Sequence, residues 1–134
     1  KEQHRLNNIE FLGYKSGEEL TQLKKQAYFT VVPSECYENN PMAIIESYAE
    51  GVPAIGSKIG GIPEIIKEGK TGYIFTPKND KELAELIKKA ANLTREEYLT
   101  MSNNAIKLTQ KDMSKESYYN RLIPFYKQIM DIDK

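Results

Sequence analysis

The sequence predicts an α/β protein with a mostly parallel sheet and helices on both faces. Three observations carry this. Short β-prone runs alternate with amphipathic helical stretches over the first 80 residues. The run Tyr28 to Val32 is apolar on both sides and stops at Pro33, as expected of a strand covered on both faces. Glycine- and proline-marked turns follow the β-prone runs. In such sheets the connections are right-handed and ligands bind at the carboxyl ends of strands. The loops of interest are therefore those after Val32, after Ile55 and after Gly13.

The elements follow in order. Ile9 to Gly13 alternates briefly and reads as a short strand. Ser16 and Glu19 have the spacing of a capping box. Leu20, Leu23 and Ala27 then recur at helical spacing, and the lysines of the Lys24-Lys25 pair read as a solvated face. After Pro33, Asn40 has the chemistry of an N-cap and Pro41 that of a first helical residue. That helix runs through Ile44, Ile45, Tyr48 and Ala49 and closes at Gly51. Val52 to Gly56 is the next strand. Gly60-Gly61 reads as a tight turn or a donor contact ahead of a short helical segment from Glu64 to Lys67. Tyr73 to Thr76 is the last strand, stopped by Pro77.

From Asn79 onward the pattern is helical. Leu83, Leu86, Ile87 and Ala90 form one apolar stripe. Thr94 with Glu97 caps the next helix, with Tyr98, Met101, Ala105 and Leu108 inward. Ser114 caps the last, with Tyr118, Leu122, Phe125, Tyr126 and Ile129 inward and a kink at Pro124. Residues 1–134 read as one partial domain that includes carboxyl-terminal helices over 79–131.

Composition narrows the function. The 134 residues hold 19 Lys+Arg and 19 Asp+Glu, so the net charge is zero. That argues against nucleic-acid binding through a basic field and against a polybasic membrane surface. A single cysteine, Cys36, and a single histidine, His4, exclude a disulfide framework and a Cys/His zinc site. No apolar run has the length of a membrane span. Cys36 reads as a small, partly buried residue and His4 as surface.

The loop after Val32 combines three useful features. A helix start offers free amides near Met42, Ala43 and Ile44, at the positive end of the helix dipole. Such a start suits an anion. Glu38 lies just before it and Glu46 inside its second turn. Carboxylates repel a phosphate at close range, so these two suit hydroxyls on either side of one. A nucleotide-sugar has that order: sugar hydroxyls, diphosphate, ribose hydroxyls.

The segment Glu38-Asn39-Asn40-Pro41-Met42-Ala43-Ile44-Ile45-Glu46 resembles the Glu, seven residues, Glu signature of retaining glycosyltransferases of family 4, which have the GT-B fold. Asn8 to Tyr14, Pro33-Ser34, Glu46 to Ile55, Gly60 to Glu64 and Gly72 to Phe75 resemble the same family in the same order. The resemblance runs from about Asn8 to Leu93. It implies a Rossmann-like, three-layer αβα unit, the carboxyl-terminal half of a GT-B enzyme. It implies Glu38 at the donor sugar as the catalytic carboxylate, whether nucleophile or orienting group. It implies donor binding by Glu38, Asn39, Asn40, Met42 and Ala43, ribose binding by Glu46, and an approach of Gly13 and Tyr14 to the base. No metal and no other cofactor is implied, and no Asp-x-Asp motif occurs. The chain departs from the family at Pro41, often glycine there, and at Ile45, where some members carry a hydroxyl.

On this resemblance the acceptor-binding amino-terminal domain is absent, and so is the first part of the donor domain, with the Arg and Lys that neutralise the diphosphate; Lys1 and Arg5 do not fall in their context. The expected role is the donor-binding part of a hexosyltransferase in polysaccharide biosynthesis, acting on a glycan or lipid acceptor. The fragment alone is expected to be inactive. The expected location is cytoplasmic, with any membrane association supplied by the absent domain and no insertion by this segment. The rival readings are a non-catalytic α/β binding module with a degenerate nucleotide-sugar site, and a GT-B epimerase or phosphorylase.

Overall fold

The sheet is built from three parallel strands in the order β1 (Thr30–Val32), β2 (Ala54–Ser57) and β3 (Gly72–Phe75). Thr30 pairs with Ala54, and Ala54 in turn with Gly72. These positions come from a computed structural model that describes residues 7–132. Six helices accompany the strands: α1 (Gly17–Gln26), α2 (Met42–Ala49), α3 (Ile62–Ile65), α4 (Asp80–Ala91), α5 (Arg95–Asp112) and α6 (Lys115–Ile132).

Successive strand residues point to opposite faces, and β2 shows this directly. Ala54 joins a buried cluster with Ile44, Tyr48, Ile62, Ile65, Ile66 and Ala105, from α2, α3 and α5. Ile55 joins Tyr73, Phe75, Ala90 and Met101 on the other side, with Leu83 and Leu86 of α4. The two clusters make the expected three layers. Every residue of β2 is buried, which is why Val52 to Gly56 carries no polar face.

Several boundaries differ from the sequence reading, each for a physical reason. Residues 9–13 form no strand; the segment is irregular and Phe11 is exposed. Its backbone has no ladder partner among the described residues, and an unpaired extended run has no reason to stay regular. β1 begins at Thr30 because Tyr28 and Phe29 leave the sheet to pack on other rings. Tyr28 stacks on Tyr98 at 4.1 Å between centroids, and Phe29 on Tyr73. Among the described strands β1 pairs with β2 alone and so lies at an edge, and the exposed Val31 shows that one of its faces is not covered. Ser16 stands at the N-cap of α1 without a side-chain bond. Its would-be partner Glu19 pairs with Lys15 instead, so no capping box forms there. α3 starts at Ile62, two residues early, with Pro63 in its first turn.

The carboxyl-terminal helices match their caps. Asn79 accepts from the Glu82 amide, and Thr94 with Glu97 forms a reciprocal capping box. The Ser117 amide donates to Ser114 Oγ at 3.1 Å. Met101 and Ala105 are buried as expected. α6 differs. The helix continues past Pro124; what departs from the sequence reading is that Tyr118, Phe125, Tyr126 and Ile129 are exposed rather than core. Its apolar stripe is intrinsic to the sequence, but among the described elements it packs chiefly on α5, which covers too little of it. No described helix is long and apolar enough to cross a membrane. His4, Lys1 and Arg5 lie outside the described residues.

Candidate functional site

The loop from Pro33 to Pro41 leaves the carboxyl end of β1 and delivers the chain to α2. Two bonds, one from the end of β2 and one from the turn after it, hold it. Ser57 Oγ, fully buried, donates to the Ser34 carbonyl at 2.6 Å. The Gly61 amide donates to the Glu38 carbonyl, also at 2.6 Å. Gly60 has φ +54, and a Cβ there would lie 2.5 Å from the Glu38 oxygen and 2.7 Å from its nitrogen. A Cβ on Gly61 would overlap the Asn39 carbonyl. The glycine pair is thus a cradle for the backbone of Glu38 and Asn39, a more specific role than a tight turn.

The start of α2 is one residue later than expected. Pro41 is the N-cap, with φ −70 and ψ 86, and the helix opens at Met42. Asn40 does not cap it; its Nδ2 points to Met42 Sδ at 3.6 Å. Pro41 itself has a non-helical ψ, so it and not Asn40 takes the cap position. The Ile44 amide donates back to Pro41 at 3.0 Å, so it is not free. Met42 and Ala43 keep amides with no acceptor among the described residues. They sit at the positive end of the helix dipole.

α2 buries Ile44, Ser47 and Tyr48. Ser47 Oγ donates to the Ala43 carbonyl and meets Thr30 Oγ1 of β1 at 2.8 Å. Tyr48 donates to Thr71 Oγ1 at 2.8 Å, and burial pushes its phenol well above the usual range. The opposite face stays open. Met42 and Glu46 are both exposed there and, four residues apart, lie one above the other. That places the Glu46 Cα about 6 Å along the axis from that of Met42. The helix ends in a Schellman turn, Val52 amide to Ser47 carbonyl at 2.9 Å, with Gly51 at φ +75.

The structure therefore brings Glu38, Asn39, Asn40, Met42, Ala43 and Glu46 to one strand-end loop and one helix face. Glu38 is half-buried and Glu46 exposed. Gly13 and Tyr14 lie in the irregular segment before α1; Tyr14 is 92% exposed, and no hydrogen bond among the described residues joins that segment to α2. Cys36 is exposed rather than partly buried. Among the described residues no three His, Cys, Asp or Glu side chains gather at a common point.

One residue read as solvated is not. Lys24 donates to Glu46 Oε2 across the gap between α1 and α2, and its side chain is only 16% exposed. Lys25 pairs with Glu50 at 3.6 Å, and Lys89 lies 4.4 Å over the Tyr73 ring. A signal for Lys24 exists in the sequence. It is four residues after Leu20 and three before Ala27, so it shares their inward stripe.

Residues 1–108 match the family model described as glycosyl transferases group 1. A sulfoquinovosyl transferase of Arabidopsis thaliana is 35% identical over 104 residues, covering 66% of this chain and 20% of its own length. An uncharacterized glycosyltransferase of Methanocaldococcus jannaschii is 31% identical over 127 residues, 94% of this chain and 32% of its own. Among solved structures, HepE of Anabaena in complex with UDP-glucose is similar, with a TM-score of 0.71 and 27% identity over 78% of this chain and 28% of that one. The chain thus spans a third or less of the length of these relatives.

Proposed function

Since the chain belongs to the glycosyl transferases group 1 family and has the α/β architecture of GT-B glycosyltransferases, we propose that it is the donor-binding part of a retaining hexosyltransferase. The donor is a nucleoside-diphosphate sugar and the acceptor a glycan or lipid. One observation carries the reading most: the open face of α2, with free amides at Met42 and Ala43, Glu46 one turn on and Glu38 just ahead. The diphosphate would lie on the amides. Glu46 would accept from the ribose hydroxyls. Glu38 would accept from the sugar hydroxyls as the carboxylate nearest the reacting carbon. Asn39 and Asn40 would line the sugar. In transfer the bond from the anomeric carbon to the diphosphate oxygen breaks, one to the acceptor oxygen forms, and the acceptor hydroxyl's proton leaves with the departing diphosphate. The helix start would stabilise the charge that grows on the leaving group.

Gly13 and Tyr14 are proposed to approach the base. No metal is proposed to take part, and activity in excess chelator tests that. The remaining cationic groups are assigned to an earlier part of the donor domain and the acceptor site to an amino-terminal domain of a longer protein, so the 134 residues alone are expected to bind donor weakly and transfer nothing. Any membrane contact is assigned to that amino-terminal domain, with catalysis on the cytoplasmic side.

Calorimetric titration of the full-length protein with UDP-, GDP- and ADP-sugars tests the proposal. One donor should bind, and Glu46→Ala should weaken it by about tenfold to a hundredfold, the worth of hydrogen bonds to a charged acceptor. Absence of binding by every donor overturns the reading and favours a module with a degenerate site.

A further inference from the structure

The ion pair between α1 and α2 differs from the others in the molecule. Lys24 is the most buried cation among the described ion pairs, at 16% against 27% for Lys15, 47% for Lys25 and 73% for Lys78. Its stem follows the Leu20 stripe into the helix-helix gap. There, Gly17, Leu20, Thr21, Lys24, Glu46 and Ala49 border an open groove of about 380 Å³. Burying an ammonium is costly unless it is paired, and Glu46 is its one hydrogen-bond partner among the described residues.

The arithmetic of donors and acceptors shows what remains available. An ammonium has three donors and a carboxylate about four acceptor positions. The pair uses one of each. Thr21 Oγ1 is turned away, donating to the Gly17 carbonyl. The groove therefore presents unused acceptors on Glu46 beside unused donors on Lys24. A vicinal diol needs that combination, because each hydroxyl both donates and accepts.

We infer that Lys24 is a positioning residue for nucleotide recognition: it holds the Glu46 carboxylate in one orientation and offsets its charge, so that Glu46 can receive the ribose hydroxyls of an anionic nucleotide. This rests on the proposed ribose role of Glu46. Two effects act in the same direction. A glutamate already held gives up less rotamer freedom when ligand binds. A paired carboxylate also repels the neighbouring diphosphate less than a bare one. Removing Lys24 should weaken binding, and the loss should depend on the ribose hydroxyls.

The test uses the full-length protein and calorimetry with UDP, GDP and ADP and with their 2′,3′-dideoxy analogues. For the nucleotide that binds, Lys24→Met should raise Kd about tenfold, Lys24→Arg should restore most of it, and Lys24→Gln provides a polar neutral check. With the dideoxy analogue the Lys24→Met penalty should shrink to the part that comes from repulsion of the diphosphate, well below the penalty for the ribonucleotide, which a loss of folding would not produce. If the ribonucleotide is preferred and Glu46→Ala binds weakly, but Lys24→Met lies within twofold of the parent or loses equally for both nucleotides, the positioning role is overturned while the ribose role stands. If no nucleotide binds, or Glu46→Ala and the dideoxy analogue change nothing, the ribose role fails and takes this inference with it.

Discussion

The Gly61 amide donates to the Glu38 carbonyl at 2.6 Å, so the turn after β2 holds the backbone that carries the candidate catalytic carboxylate. The contact is close because neither Gly60 nor Gly61 has a side chain. Gly60→Ala places a Cβ at φ +54 and 2.5 Å from the Glu38 oxygen. The left-handed backbone and the overlap together should cost roughly 2–4 kcal/mol. The expected outcome is a Tm lowered by several degrees, with donor affinity falling more than the melting shift alone explains, because the loop that moves is the one bearing Glu38. Differential scanning calorimetry beside donor titration checks both.

Ser57→Ala examines the second tether. Ser57 is fully buried at the end of β2 and donates to the Ser34 carbonyl. Its loss should cost about 1–2 kcal/mol, the worth of a buried hydrogen bond plus an orphaned acceptor. Urea unfolding should show a lower midpoint with unchanged slope. Hydrogen exchange should rise in the 33–41 loop ahead of the rest of the chain.

What was legible in the sequence was local. The boxes and caps at Asn79, Thr94 and Ser114 lie within four residues of their partners, and the helices they open follow the reading. The order Glu38, helix start, Glu46 is also local. Features decided by a distant partner were hidden. Local rivalry also misled: Thr94 and Ser16 head the same motif, yet Glu19 paired with Lys15, four residues before it, and the second box never formed. Lys24 reads as solvent-facing until α2 is placed against α1. Residues 9–13 have the pattern of a strand but no ladder to join, and the aromatics of α6 have a core pattern but no core beside them. Pattern reports what a segment could bury; only the neighbours decide what it does bury.

The Thr94 box predicts behaviour in acid. The Thr94 amide, then its hydroxyl, holds the Glu97 carboxyl below the usual range, and the Thr76 amide with Asn79 does the same for Glu82. A carboxyl lowered in the folded state adds stability above its unfolded value, near pH 4.5, and loses it as pH falls through the folded value. Stability should therefore decline below about pH 4.5. Glu97→Gln should flatten that decline, and Thr94→Ala should cost about 1 kcal/mol at neutral pH by removing the cap. Denaturant midpoints measured from pH 7 to pH 3 decide both.

Tyr48 predicts the opposite limb. Its hydroxyl is buried beneath α2 and donates to Thr71 Oγ1, which also receives the Lys67 amide. Burial raises its folded value far above that of an exposed tyrosine, the Thr71 bond opposing only in part. The unfolded chain therefore releases this proton first, from about pH 10. Above that pH the unfolded state binds fewer protons than the folded one, so stability falls as pH rises, by about 1.4 kcal/mol per unit for this one group. Burial raises Tyr73 and Tyr98 in the same direction, so part of the limb should persist without Tyr48. Tyr48→Phe should cost about 1 kcal/mol at pH 7 from the lost hydrogen bond, yet show a shallower fall between pH 10 and 11. Equal slopes in the two proteins would mean that Tyr48 ionises in the folded state as an exposed phenol does.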